Sequence, residues 1–169
     1  MSEVQKFSMS YDAGEDRIAW DAEYKDGATA RMWLTQRLCK AVVEAIVPML
    51  KPAVAAEAPE QHQSTLQSWE QAAAVADLGK VPPVQTQPQT LVGLVKTVNI
   101  KAEGADRLIL TFDFGAPGPC VIGVNAQQLR QTLSVIHGLY VAGGWPVDIW
   151  PAWIAQPNAV AAASSDIVN

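Results

Sequence analysis

Two stretches of this chain alternate large apolar residues with small or polar ones and then change to the spacing of an amphipathic helix. The first alternation covers Ile18, Trp20, Ala22 and Tyr24 and resumes, after a Lys-Asp-Gly turn, with Ala30, Met32 and Leu34. A period of two residues predicts a strand with one buried face, and a period near 3.6 predicts a helix. We therefore predict a hairpin, preceded by a strand at Phe7, Met9 and Tyr11 and followed by a helix after the N-cap residue Thr35.

The length of the hairpin loop follows from the requirement that large apolar side chains share one face. A two-residue turn would place Asp21 opposite Met32. A three-residue loop, with Gly27 in the left-handed conformation, instead pairs Trp20 with Met32. The same loop places Asp21 opposite Arg31 on the other face. We therefore predict the three-residue loop, since a slip of one residue would reverse every side chain.

The second half of the chain repeats this order of elements 90 residues later, so that Trp20 corresponds to Leu110 and Thr35 to Asn125. Its first strand is predicted from Leu94 to Ala102. Few residue identities are shared, but the lengths of the elements, the loop parity and the helix caps agree. We interpret the halves as an internal duplication of a β-β-β-α unit. The inward positions of the second hairpin are Leu108, Leu110, Phe112, Phe114, Cys120, Ile122 and Val124.

A connector rich in Ala, Gln and Pro joins the two halves. Inside it, Pro59 and Gly79 delimit a helix predicted at about 60–78, and the prolines of residues 80–90 predict an extended segment. The predicted fold class is α+β, with two pseudo-repeated β-β-β-α units packed together. The predicted organisation is a first unit at 1–50, a linker at 51–90, a second unit with a Trp- and Pro-rich edge segment at 91–154, and a flexible tail at 155–169.

Charge and cysteine usage limit the class of partner. The net charge of −5 and the sequence pI of about 4.9 oppose attachment to nucleic acid or to an anionic membrane. Cys39 and Cys120 lie in apolar stretches without a CxxC spacing, which predicts two buried free thiols and a reducing environment. No stretch reaches the roughly 18 apolar residues of a membrane span, and no secretory signal pattern begins the sequence. A cytoplasmic location without a membrane partner is therefore predicted.

The tryptophans supply the candidate contact residues, because Trp is enriched at binding hot spots. On the predicted hairpin, Trp33 faces outward beside Arg31, where it either contacts a partner or is covered by the linker helix or the other half. The stretch at 143–154 forms either a short edge strand through Val147 and Ile149 or a rigid aromatic docking segment. The predicted partner-binding residues are Trp33, Arg31, Trp145, Trp150 and Trp153.

The sequence contains no recognisable catalytic constellation. Its two histidines, His62 and His137, lack metal-binding spacing, and the common phosphate-binding and nucleophile motifs are missing. We predict no catalytic residue, metal site or cofactor, and a non-catalytic module that binds a protein partner or itself. Two alternatives remain open: a small enzyme with carboxylate acid/base chemistry, and a single-stranded nucleic-acid-binding protein. For the second alternative, the duplicated sheet-plus-helix units with exposed aromatic residues resemble, in topology alone, the Whirly and Pur-type proteins. The acidity of the chain disfavours nucleic-acid binding.

Overall fold

The structure, a computed structural model, describes residues 3–50, 59–79, 82–115 and 117–156. These residues form an α+β fold, as predicted, with seven strands and four α-helices. The strands are β1 (Val4–Asp12), β2 (Arg17–Tyr24), β3 (Thr29–Leu34), β4 (Leu91–Leu94), β5 (Thr97–Glu103), β6 (Arg107–Asp113) and β7 (Cys120–Asn125). The helices are α1 (Gln36–Ile46), which a 3₁₀ turn at Val47–Met49 follows, α2 (Glu60–Ala76), α3 (Ala126–Gly143) and α4 (Ala152–Ala155). Of the predicted tail, residues 157–169 lie outside the described part.

The strands form two separate sheets. One sheet has the order β1-β2-β3-β4, and the other has the order β5-β6-β7. All neighbouring strands are antiparallel except β3 and β4, which run parallel. Each unit thus contributes three antiparallel strands and then a helix, while β4 adds a fourth strand to the first sheet.

The register of the first hairpin is the predicted one. Trp20 pairs with Met32, and Asp21 pairs with Arg31. The loop has three residues, and Gly27 adopts a φ of +83°, a conformation that L side chains rarely take. The rule that large apolar side chains share one face therefore selects the correct loop length.

The second hairpin has the same register at a distance of 90 residues, because Leu110 pairs with Ile122 as Trp20 pairs with Met32. The preceding loops differ, with four residues at 13–16 between β1 and β2 but three at 104–106 between β5 and β6. The two units therefore share an arrangement over their second hairpins and helices. The common origin of the two halves stays an interpretation.

The chain passes from one sheet to the other between β4 and β5. The Val95 N–H donates to the Trp33 carbonyl at 2.9 Å, and the Lys96 N–H donates to the Asp113 carbonyl in the second sheet at 2.8 Å. The prediction of one strand from Leu94 to Ala102 is therefore wrong. Its apolar residues serve two sheets, which a local alternation pattern does not reveal.

One hydrophobic core joins the inner faces of both sheets with α1 and α3. The rings of Trp20 and Phe112 meet between the sheets at a centroid distance of 4.9 Å. The two sheets remain separate and share this core. Cys39 and Cys120 lie in this core as free thiols, as predicted. Burial raises the pKa of the Cys39 thiol to about 12.

Both helix starts are capped as predicted. The Thr35 hydroxyl accepts a hydrogen bond from the Leu38 N–H at 3.3 Å, and the Asn125 side chain accepts one from the Gln128 N–H at 2.8 Å. The Gln128 side-chain oxygen in turn accepts a hydrogen bond from the Asn125 N–H at 3.0 Å, which completes a capping box. The α1 helix gives way to the 3₁₀ turn that contains Pro48, because proline cannot donate to a continuing helix.

The linker helix α2 packs against α3 through small and polar residues. Its buried side chains belong to Ser68, Gln71 and Ala74, whereas Trp69 is exposed. The Gln71 amide donates to the carbonyl of Arg130 at 2.9 Å. Trp69 therefore lies on a face of α2 that does not pack, and hydrogen bonds rather than an apolar stripe hold the helix.

Candidate protein-interaction surface

Four side chains form a mainly apolar surface on the outer face of the four-stranded sheet. In the parallel pairing of β3 with β4, Arg31 lies beside Val92 and Trp33 lies beside Leu94. Residues paired across neighbouring strands project from the same face, so these four constitute what we name the β3–β4 surface. Val92 is 61% exposed and Leu94 is 43% exposed, and Trp33 is half-buried.

Arg31 is held within this surface by a buried carboxylate. Its guanidinium donates two hydrogen bonds to the carboxylate of Asp21, at 2.7 and 2.9 Å. These hydrogen bonds raise the pKa of Arg31 above its ordinary value. The same guanidinium lies 5.5 Å from the ring centroid of Trp33. Arg31 therefore restricts the motion of the Trp33 side chain. Its own charge is already neutralised by Asp21.

The extended linker segment covers a neighbouring part of the same face. The Val84 N–H donates to the Ser8 hydroxyl at 3.0 Å, and the Lys6 ammonium donates to the Pro83 carbonyl at 3.2 Å. Val84 is buried in this position. The segment thus packs over β1 at one edge of the sheet, whereas Val92 in β4, at the opposite edge, remains exposed. Intramolecular covering of the outer face is partial.

Trp145 and Trp150 lie inside the molecule. Both are buried, and each ring makes an edge contact with the ring of Tyr140, at 5.0 and 5.3 Å. The Trp145 indole N–H also donates to Asp16 at 2.8 Å, and the Tyr11 hydroxyl donates to the same carboxylate oxygen at 2.7 Å. Both indole rings are therefore packed against other residues of the same chain. We therefore do not include either in the β3–β4 surface.

Trp153 belongs to a polar cluster between α2, α3 and α4. The Arg130 guanidinium lies 5.4 Å from its ring centroid and donates to Glu70 and to the Gln67 side chain, each at 2.6 Å. Burial lowers the pKa of Arg130. The alternative of an edge strand through Val147 and Ile149 is wrong, because this segment contains no strand and turns at Val147, whose carbonyl accepts a hydrogen bond from the Trp150 N–H at 3.2 Å. Trp145 and Trp150, at the two ends of this segment, pack against Tyr140 instead of extending a sheet.

Sequence reasoning missed the exposed valine and leucine of β4. The available signal was the run Leu91-Val92-Gly93-Leu94, in which apolar residues occupy both strand faces. A run of that kind indicates burial on both sides, or else an uncovered face. The long-range pairing with β3, which sets these residues beside Trp33, leaves no trace in a local pattern.

The described residues hold no group of three or more His, Cys, Asp or Glu side chains that could bind a metal ion. A cavity of about 500 Å³ opens near β4 on the opposite face from the β3–β4 surface, and its lining includes Tyr24, Leu91 and Phe114. A smaller cavity of about 240 Å³ lies between α1 and the segment at 146–149, with Arg37, Lys40 and Asp148 in its wall. Neither wall brings two carboxylates together for acid/base chemistry.

The chain matches no known family model, no curated protein and no solved structure. Among the described residues, no helix has both the length and the apolar character needed to cross a bilayer.

Proposed function

We propose that this protein is a non-catalytic interaction or assembly module and that the β3–β4 surface is its contact site. The observation that carries the proposal is the exposure of Val92 and Leu94, at 61% and 43%, beside the half-buried Trp33. Burying one such aliphatic side chain contributes about 1.5 to 3 kcal/mol. Trp and Arg, here Trp33 and Arg31, are enriched among the residues that contribute most binding energy near the centre of protein interfaces.

The charges around this surface favour a protein partner over a nucleic acid. Asp21 neutralises Arg31, so its guanidinium is not free to bind a phosphate. The same guanidinium covers part of the Trp33 ring, against which a base would have to stack. The net charge of −5 adds a general repulsion from polyanions. We include a cytoplasmic location in the proposal, since two free thiols suit a reducing compartment.

The test compares exposed aliphatic residues at two places in the fold. Tagged wild-type protein, the double variant Val92→Ser/Leu94→Ser and the control Val141→Ser are used at low micromolar concentration to capture partners from the source cells. Val141 is a matched control because it is 60% exposed and lies on α3 rather than on β3 or β4. The proposal predicts that wild type and control recover the same partner and that the double variant loses it.

Two results would count against this function. Equal recovery by all three proteins would show that the β3–β4 surface is not the contact site. Salt-sensitive binding to a labelled single-stranded oligonucleotide, unchanged in the double variant, would favour the nucleic-acid alternative instead.

A further inference from the structure

The strand β4 lies at an edge of its sheet with backbone groups turned outward. It pairs with β3 on one side, and no strand in the described part of the chain pairs with its other side. Val95 directs its N–H toward β3, and Lys96 directs its N–H away, toward Asp113. Successive residues of a strand turn their backbone groups to opposite edges. The N–H and C=O groups of Val92 and Leu94 therefore face the open edge.

Apart from the shortness of β4, this edge lacks the features that usually prevent pairing between sheets. Natural edge strands carry lysine, proline or inward charges, which block another strand from adding. From residue 85 to residue 95 the chain has no charged side chain, and β4 itself has no proline. Leu91, Val92 and Leu94 are all exposed, so that both faces of the strand present apolar groups. Such an edge is a template for another strand.

The open edge is about as long as β4 itself. At one end, Lys96 already bonds to Asp113, which closes the edge beyond Val95. At the other end, Thr90 donates its N–H to the Gln87 carbonyl in a turn, so the chain bends away just before Leu91. A four-residue strand that is preceded by a turn fits this space, and β4 is such a strand.

We propose that β4 pairs antiparallel with β4 of a second copy of this chain, about a twofold axis at Gly93. This inference rests on the proposed function, because it uses the β3–β4 surface. Val92 then lies opposite Leu94 of the second copy, and each pair exchanges two backbone hydrogen bonds. The two four-stranded sheets become one continuous sheet across the dimer.

Charge and shape agree with this pairing. The register places Lys96 opposite Thr90 of the second copy, so no like charges meet across the strands. On the outer face, the apolar row of Trp33 and Leu94 continues into Val92 of the second copy. Gly93 permits the close approach of Phe114 beneath the strand, since a Cβ at this position would lie 2.5 Å from the Phe114 carbonyl oxygen.

The association is weak and strengthened by salt. A contact limited to one short strand and its neighbours falls below the roughly 1,000 Å² of a stable interface. Two copies that each carry a net charge of −5 repel one another, and salt screens that repulsion. The dimer therefore becomes more populated as salt is added, whereas a dimer held by ion pairs would dissociate.

The test is sedimentation equilibrium of the full chain from about 10 µM to about 1 mM, at low salt and at about 1 M salt. We expect the weight-average mass to rise from 18.2 kDa toward twice that value, and to rise further at high salt. The backbone amide resonances of Val92 and Leu94 shift over the same range of concentration. A mass that stays at 18.2 kDa at every concentration would overturn the inference.

Charge variants test the register. Val92→Lys and Leu94→Glu should each weaken self-association at least tenfold, whereas the exposed control Val141→Lys should not. Mixing the first two should restore association, because Lys at 92 faces Glu at 94 of the other copy. A mixture that stays monomeric overturns the register. If the wild type is monomeric but the capture experiment still depends on Val92 and Leu94, self-pairing fails and the proposed function stands.

Discussion

The ion pair between Arg130 and Glu70 offers the most quantitative test of how the linker helix is held. The side chain of Arg130 is 4% exposed and that of Glu70 is 30% exposed, and the two atoms of the bridge are 2.6 Å apart. Replacing Glu70 by Ala leaves the guanidinium buried without its charged partner. Removal of one member of a buried pair usually costs 3 to 5 kcal/mol, and partial exposure with a remaining Gln67 contact reduces this to about 2 kcal/mol here.

The assay is urea unfolding of the wild type, Glu70→Ala, Arg130→Met and the double variant. We expect the double variant to be more stable than the sum of the single losses predicts, with a coupling of about 1 to 2 kcal/mol. The control is Lys40→Ala, which removes a surface pair of 3.7 Å whose two side chains are 54% and 53% exposed. Its cost should stay below about 0.5 kcal/mol. A loss for Glu70→Ala no larger than the control's would refute the reasoning.

Three further predictions concern the core and its closure. Trp20→Ala should lower the free energy of unfolding by about 3 to 5 kcal/mol, and Trp33→Ala by much less, as measured by urea unfolding; similar losses would contradict the assigned faces. Hydrogen bonds from Trp145 and Tyr11 lower the pKa of Asp16 in the folded state. The contribution of Asp16 to stability is therefore present above its pKa in the unfolded chain and is lost as the pH falls through its pKa in the folded protein. Asp16→Asn should make the free energy of unfolding depend less on pH in this acidic range. Cys39 and Cys120 should react with a thiol reagent only on unfolding, and rapid labelling of the native protein would contradict their burial.

The strand faces were predictable because they depend on local parity. The apolar groups at Trp20 and Met32 fix the loop length, and that loop places Asp21 beside Arg31. The helix starts at Thr35 and Asn125 were predictable for a similar reason, since a cap satisfies N–H groups only three residues away.

The contact surface and the closing segment were not predictable in the same way. Trp33 gains Leu94 as a neighbour through a parallel pairing of residues 61 positions apart, which no local period encodes. Trp145 and Trp150 depend on the length of α3, which brings Tyr140 between their rings. The burial of Arg130 depends on side-chain hydrogen bonds to α2, and glutamine-rich segments give no apolar stripe to signal such contacts.

Site-specific photocrosslinking tests the central claim most directly. A benzophenone side chain is placed at position 92 in one variant and at position 141 in another, and both are irradiated in the source cells. These positions are equally exposed in the isolated chain, at 61% and 60%. A contact site on the β3–β4 surface predicts a discrete protein adduct at 92 and none at 141. No adduct at 92, or equal adducts at both positions, would contradict it.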